Sequence, residues 1–98
     1  MDYQKFILMG NTTDAPKVQN PEGKTAFADF RLAVGRGPEG ETDFFPVRVF
    51  GKLAEVVTTV KKGTRLLVEG RIELNRYTPK DGQPRLTVRV VADTVRFL

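Results

Sequence analysis

The stretch Thr42–Val57, TDFFPVRVFGKLAEVV, changes its period with no loop between its halves. The first half alternates with period two. This places Phe45, Val47 and Val49 on one face of a strand and Phe44, Pro46, Arg48 and Phe50 on the other. From Gly51 the apolar spacing becomes helical, with Leu53, Val56, Val57 and Val60 at i, i+3, i+4 and i+7. Any fold for this chain must run a strand directly into a short helix. It must also use two apolar strand faces, one of which carries an arginine between two phenylalanines. A buried face has no use for that arginine. A nucleic-acid-binding sheet has, because rings stack on bases while a guanidinium pairs with phosphate. Pro46 lacks an N–H and is expected at a bulge or an unpaired strand position.

Four further segments alternate like strands. In Tyr3–Asn11, Phe6 and Leu8 share one face and Ile7 and Met9 the other. Both faces are apolar, so both should be covered. A crowded barrel corner would cover Ile7 and Met9, and so would a second subunit. Thr25–Val34 turns Ala26, Ala28, Phe30, Leu32 and Val34 inward, small then large, as suits a tapering barrel. Phe27, Asp29, Arg31 and Ala33 lie on its other face. Thr64–Asn75 directs Leu66, Val68, Ile72 and Leu74 to one side, with Gly70 in the same register marking a bend or a close backbone approach. Arg85–Val95 alternates Leu86, Val88, Val90 and Ala92 with Thr87, Arg89, Val91 and Asp93. The connectors are rich in turn formers: Thr12–Lys24, in which Lys17–Gln19 suits a short extended piece, Gly35–Glu41, and the hairpin tip Arg76–Pro84 with its Asp81-Gly82 turn. Lys61 and Lys62 suit the carbonyl end of the helix, and Gly63 a left-handed C-cap.

Three strands, one helix and two strands, antiparallel and strongly alternating, predict an all-β chain with one short helix. The layout is a five-stranded OB-fold, a Greek-key barrel with its helix between the third and fourth strands. At 98 residues the chain is one domain near the small end of what folds alone.

Composition narrows the function. The chain has no Cys and no His. That removes disulfides, thiolate metal sites, the usual zinc sites, the Ser-His-Asp triad and the commonest general base. No cofactor or metal is implied, and an enzyme is disfavoured. The one compact acid–base cluster, Glu69–Arg71–Glu73, is explained by opposite charges along a strand. The net charge of +4 favours a polyanionic partner. No apolar run reaches membrane-spanning length and no secretory signal opens the chain, so a cytoplasmic location is expected.

On an OB barrel the binding surface surrounds the second and third strands and their flanking loops. Register then supplies candidates. Phe44 and Phe50 are stacking platforms with Arg48 as a phosphate contact between them. Phe27 and Arg31 repeat the pattern on the preceding strand, with Arg36 at the base of the following loop. Tyr77 opens the last hairpin, near Arg76, Lys80 and Arg85. Each reading has a plainer rival: Phe44 and Phe50 buried in a dimer interface, Phe27 packed under the first connector, Tyr77 an ordinary hairpin aromatic.

The chain resembles the bacterial-type single-stranded DNA-binding proteins over nearly its whole length. The resemblance rests on KFILMGN (Lys5–Asn11), AFADFRLAV (Ala26–Val34), TDFFPVRVFGKLAEVV, KKGTRLLVEGRIE (Lys61–Glu73), DGQPR (Asp81–Arg85) and VVADTVRFL (Val90–Leu98). It implies sequence-independent binding and protection of single-stranded DNA in replication, recombination and repair. Phe44, Phe50 and Tyr77 match base-stacking aromatics, and Lys52 matches a basic residue after the aromatic-Gly pair. The resemblance also implies a homodimer or, preferentially, a homotetramer in which first strands pair, with Lys5, Ile7 and Met9 at the interface. A nucleoid-associated location follows from the same likeness.

Four features depart from that pattern. There is no Trp, so the stacking area should be smaller. The Gly35–Glu41 loop lacks an aromatic that some members carry. Glu73 and Asn75 stand where some members place basic residues. The sequence ends at Leu98 without the acidic tail through which the family recruits replication and repair proteins. The expectation is therefore either a DNA-binding core trimmed of that tail, with replication and repair proteins as partners where the tail exists, or a natural tail-less relative such as the primosomal replication protein, an OB-fold that binds single strands and serves as an interaction scaffold.

Overall fold

The computed structural model describes Met1–Leu98. Six strands form one sheet: β1 (Phe6–Thr12), β2 (Lys17–Gln19), β3 (Phe27–Gly35), β4 (Thr42–Phe50), β5 (Arg65–Tyr77) and β6 (Arg85–Phe97). Their order is β1-β5-β6-β4-β3-β2, and β1 also pairs with β3, which closes the barrel. The three-residue β2 is the short extended piece within the first connector. It lies antiparallel to β3 outside the closed ring. Counting it makes the helix follow the fourth strand rather than the third. The pairs are antiparallel except β4 and β6, which meet in parallel with Val47 opposite Val90 and Arg48 opposite Val91. Pro46 stands one residue before that parallel pairing begins.

Within the barrel, the inward sets read from alternation are found inside. Ala28, Leu32, Val47, Val49, Leu66, Val68 and Val90 are buried, and Phe6 packs against Phe45 with ring centroids 6.0 Å apart. The helix differs in detail. Its α-helical part, α1 (Lys52–Val56), is only five residues, and a 3-10 turn over Val57–Thr59 follows. Ala54, Val57 and Val60 plug the barrel, while Val56 is 49 % exposed. The tighter turn rotates Val56 outward and brings Ala54 in, since the last residues advance by three per turn rather than 3.6.

Lys61, Lys62 and Gly63 are not the helix end. They form the turn into β5, with Gly63 at φ +84° donating its N–H to the Thr12 carbonyl at 2.8 Å. The buried Thr12 completes that junction: its hydroxyl donates to the Lys61 carbonyl at 2.8 Å and accepts from the Thr64 N–H at 3.0 Å. Between Glu69 and Gly70 the β5–β6 register slips, leaving Asp93 unpaired as a bulge. Beyond the bulge the two strands continue to Tyr77 and Arg85. This places Leu74, Leu86 and Val88 on an arm, where they are exposed rather than in the core. No helix is long and apolar enough to cross a membrane.

Candidate nucleic-acid interface

The outer face of the β3–β4 hairpin is a ladder of four cross-strand pairs: Phe27 with Phe50, Asp29 with Arg48, Arg31 with Pro46, and Ala33 with Phe44. Phe44 and Phe50 are 54 % and 44 % exposed. Six residues of strand separate them, about 20 Å. Phe27 is half-buried and packs against Phe50, with centroids 6.1 Å apart and planes tilted by 52°. Because β6 runs beside β4, the outward residues of the arm belong to the same side of the sheet. Tyr77 closes that row, 49 % exposed and opposite Arg85.

The cations fall into two groups. Arg36, Arg48 and Arg85 are committed to carboxylates. Arg36 donates to both oxygens of Asp43 at 2.9 and 2.7 Å, Arg48 to both oxygens of Asp29 at 2.7 and 2.9 Å, and Arg85 to Asp81 at 2.7 Å. Arg31, Lys52, Arg76 and Lys80 make no ion pair. All four are solvent-exposed. Arg31 lies over the Phe44 ring, 5.6 Å from its centroid. Arg48 does not reach out between Phe44 and Phe50. It lies across β3, 4.1 Å from the Phe27 centroid.

Hydrogen bonds set the titration of these pairs. The Arg36 guanidinium holds the Asp43 carboxyl below its ordinary range, and the Asp29 carboxylate raises Arg48 further. On the arm, Arg89 and then Asn75 hold Glu73 below its ordinary range. Glu73 therefore stays charged and tied to Arg89.

Sequence reasoning missed Lys17 and Arg89. Both line a cleft of about 360 Å³ that also touches Asp14, Asp29, Arg31 and Arg48. In the sequence Arg89 is only one of an alternating set, and Lys17 reaches the cleft because β2 docks on β3. No group of three or more His, Cys, Asp or Glu side chains converges into a possible metal site.

The first-strand residues occupy the faces that alternation predicts. Phe6 and Leu8 point inward, while Ile7 and Met9 are 56 % and 43 % exposed. They neighbour Glu69 and Leu67 of β5, and Lys5 pairs with Glu69 at 3.6 Å. No barrel corner covers them.

A small closed barrel, helix-plugged, with an open aromatic side next to a hairpin arm, is an OB-fold of the kind that binds oligomeric ligands on that side. The single-strand binding protein family matches residues 3–98, and the chain belongs to it. Among curated relatives it is 41 % identical over 100 residues to single-stranded DNA-binding protein 3 of Clostridium acetobutylicum, covering 96 % of this chain and 69 % of that protein. It is 35 % identical over 104 residues to the single-stranded DNA-binding protein of Thermotoga maritima, covering 98 % and 74 %. A solved structure of the Plasmodium falciparum SSB in complex with ssDNA superposes with a TM-score of 0.86 at 20 % identity, over 100 % of this chain and 97 % of that one. That likeness carries the fold.

Proposed function

We propose that this chain binds single-stranded DNA without sequence selectivity, as one OB-fold domain over residues 1–98, and protects it in replication, recombination and repair. The observation that carries this reading is the trio Phe44, Phe50 and Tyr77, each about half exposed and in the outward register of β4 and β5. Exposed rings along one path are stacking platforms that accept any base. Arg31, Lys52, Arg76 and Lys80 supply the uncommitted charge for phosphates, while Phe27, Arg36, Arg48 and Arg85 shape the platforms and loops around them. The activity is binding rather than catalysis, and it fits a cytoplasmic, nucleoid-associated protein.

The test is a titration of oligo(dT) and of a duplex at increasing salt. Single strands should bind more tightly, with log K falling by about 0.7 per phosphate neutralised for each decade of salt. Equal affinity for the two substrates at moderate salt would sink this reading.

The exposed outer face of β1 supports self-association, with a tetramer favoured over a dimer. Ile7 and Met9 sit beside the partly buried Leu67, an apolar strip that a second copy would cover. Mass measurement in solution should give a multimer, and Ile7→Lys with Met9→Lys should lower the mass. A monomer at micromolar concentration would remove the role assigned to this strip.

A further inference from the structure

Arg48 sits in the centre of the proposed DNA surface, yet its surroundings are not those of a phosphate ligand. Its Nε and Nη2 both donate to Asp29, one to each carboxylate oxygen. Two parallel bonds in this fork arrangement fix the plane of the guanidinium as well as its position. The guanidinium Cζ lies over the Phe27 ring, 4.1 Å from its centroid. Phe27 in turn leans on Phe50 at 6.1 Å. The register explains why these four side chains meet: Asp29 is directly opposite Arg48, and Phe27 directly opposite Phe50, two residues along the same face.

The contrast with Arg31 sharpens the point. Arg31 also lies over a ring, that of Phe44, but at 5.6 Å and with no carboxylate partner. Its charge is free for a phosphate. A phosphate at Arg48 would have to break a bidentate pair and would then face the charge of Asp29, with Asp14 on the same cleft.

We infer that Arg48 is a positioning residue: gripped by Asp29, it fixes the Phe27 ring and through it the Phe50 platform, and it contributes stacking geometry rather than phosphate charge. This rests on the single-stranded DNA reading above. Asp29 becomes part of the binding machinery as an anchor, although its own charge opposes DNA.

Salt dependence separates the two roles, because only a phosphate ligand contributes to the slope of log K against log salt. The experiment is an oligo(dT) titration across a series of sodium chloride concentrations with the parent chain, Arg48→Lys, Arg48→Met, Asp29→Asn and, for comparison, Arg31→Met. Lysine keeps the positive charge but cannot bridge both oxygens of Asp29. Arg48→Lys and Asp29→Asn should each weaken binding about two- to fivefold at every salt concentration, the scale of one exposed cation–ring contact. Their slopes and that of Arg48→Met should equal the parent's, while Arg31→Met should flatten it by about 0.7. In a Phe27→Leu background, Arg48→Lys should no longer matter.

Parental affinity in Arg48→Lys, tighter binding by Asp29→Asn, a slope flattened by about 0.7 in Arg48→Met, or an undiminished Arg48→Lys effect without the Phe27 ring would each overturn the inference and leave the DNA-binding reading intact. A parent chain that does not bind the oligonucleotide overturns both. Circular dichroism accompanies each variant. Should an Arg48 variant not fold, the sign of the near-isosteric Asp29→Asn effect decides alone.

Discussion

Replacing Phe44 and Phe50 together by alanine should weaken binding of oligo(dT) by about 2–6 kcal/mol, the sum of two base stacks worth about 1–3 kcal/mol each. At about 1.4 kcal/mol per decade, that is a loss of roughly thirty- to twenty-thousand-fold. Simple addition is justified because the two rings lie at opposite ends of the β4 face, about 20 Å apart, and have different neighbours: Phe44 has Arg31, while Phe50 has Phe27. The fold should survive, since both rings are half exposed and lie opposite the face that builds the core. Three measurements on one sample check this: oligonucleotide affinity, thermal unfolding and solution mass. The rival outcome is distinct. If these rings instead fill an interface between copies, the double variant loses mass and keeps its affinity per subunit.

Much of this was legible in the sequence, and the reason is periodicity. Alternation alone separates Val47 and Val49 from Arg48 and Phe50, and the structure keeps that separation at every position of β4. The first strand behaves likewise: its two apolar faces are one core face and one uncovered face, and the exposure of Ile7 and Met9 removes the crowded-corner explanation. Partnership across strands was not legible. Asp29 meets Arg48 only because β3 and β4 close with Gly35 opposite Thr42. A glycine-rich loop of this length does not dictate that closing pair; a one-residue slip would turn Asp29 to the other side.

The same blindness hid the fates of the arginines. In sequence, Arg36, Arg48 and Arg85 are three cations near aromatics or at loop bases. In the structure each has its own carboxylate, and the cations without an ion pair are others, among them Arg31, Lys52, Arg76 and Lys80. The helix was misjudged for a local reason. Helical spacing over Leu53–Val60 fits one continuous α-helix, but the chain has to reach β5 within nine residues, and the 3-10 segment over Val57–Thr59 ends the helix before the turn at Lys61–Gly63.

Gly70→Ala should be among the most destabilising single substitutions in the chain, and Gly70 also governs where Tyr77 sits. A β-carbon at Gly70 would lie 2.0 Å from the Val91 carbonyl oxygen and 2.7 Å from the Ala92 α-carbon. Both obstacles are backbone, so no side chain can swing aside. The approach is close because the Asp93 bulge lets β6 fold toward β5 at this point. Overpacking costs about 1–3 kcal/mol when side chains can adjust, and here the upper end or beyond is expected. For a domain of this size, a loss of about 3 kcal/mol lowers the melting temperature by roughly 12–24 °C. Gly35→Ala is the control. Nothing lies within 4 Å of a β-carbon there and its φ is not positive, so alanine should be neutral or stabilise by up to about 1 kcal/mol. The two melts are compared at one protein concentration, since self-association couples stability to it. Equal melting of the two variants would mean that the bulge can open without penalty. If Gly70→Ala folds by opening it, the arm beyond Gly70 must change direction. Tyr77 then leaves the row it shares with Phe44 and Phe50, and single-strand affinity falls although no residue of the aromatic row has been changed.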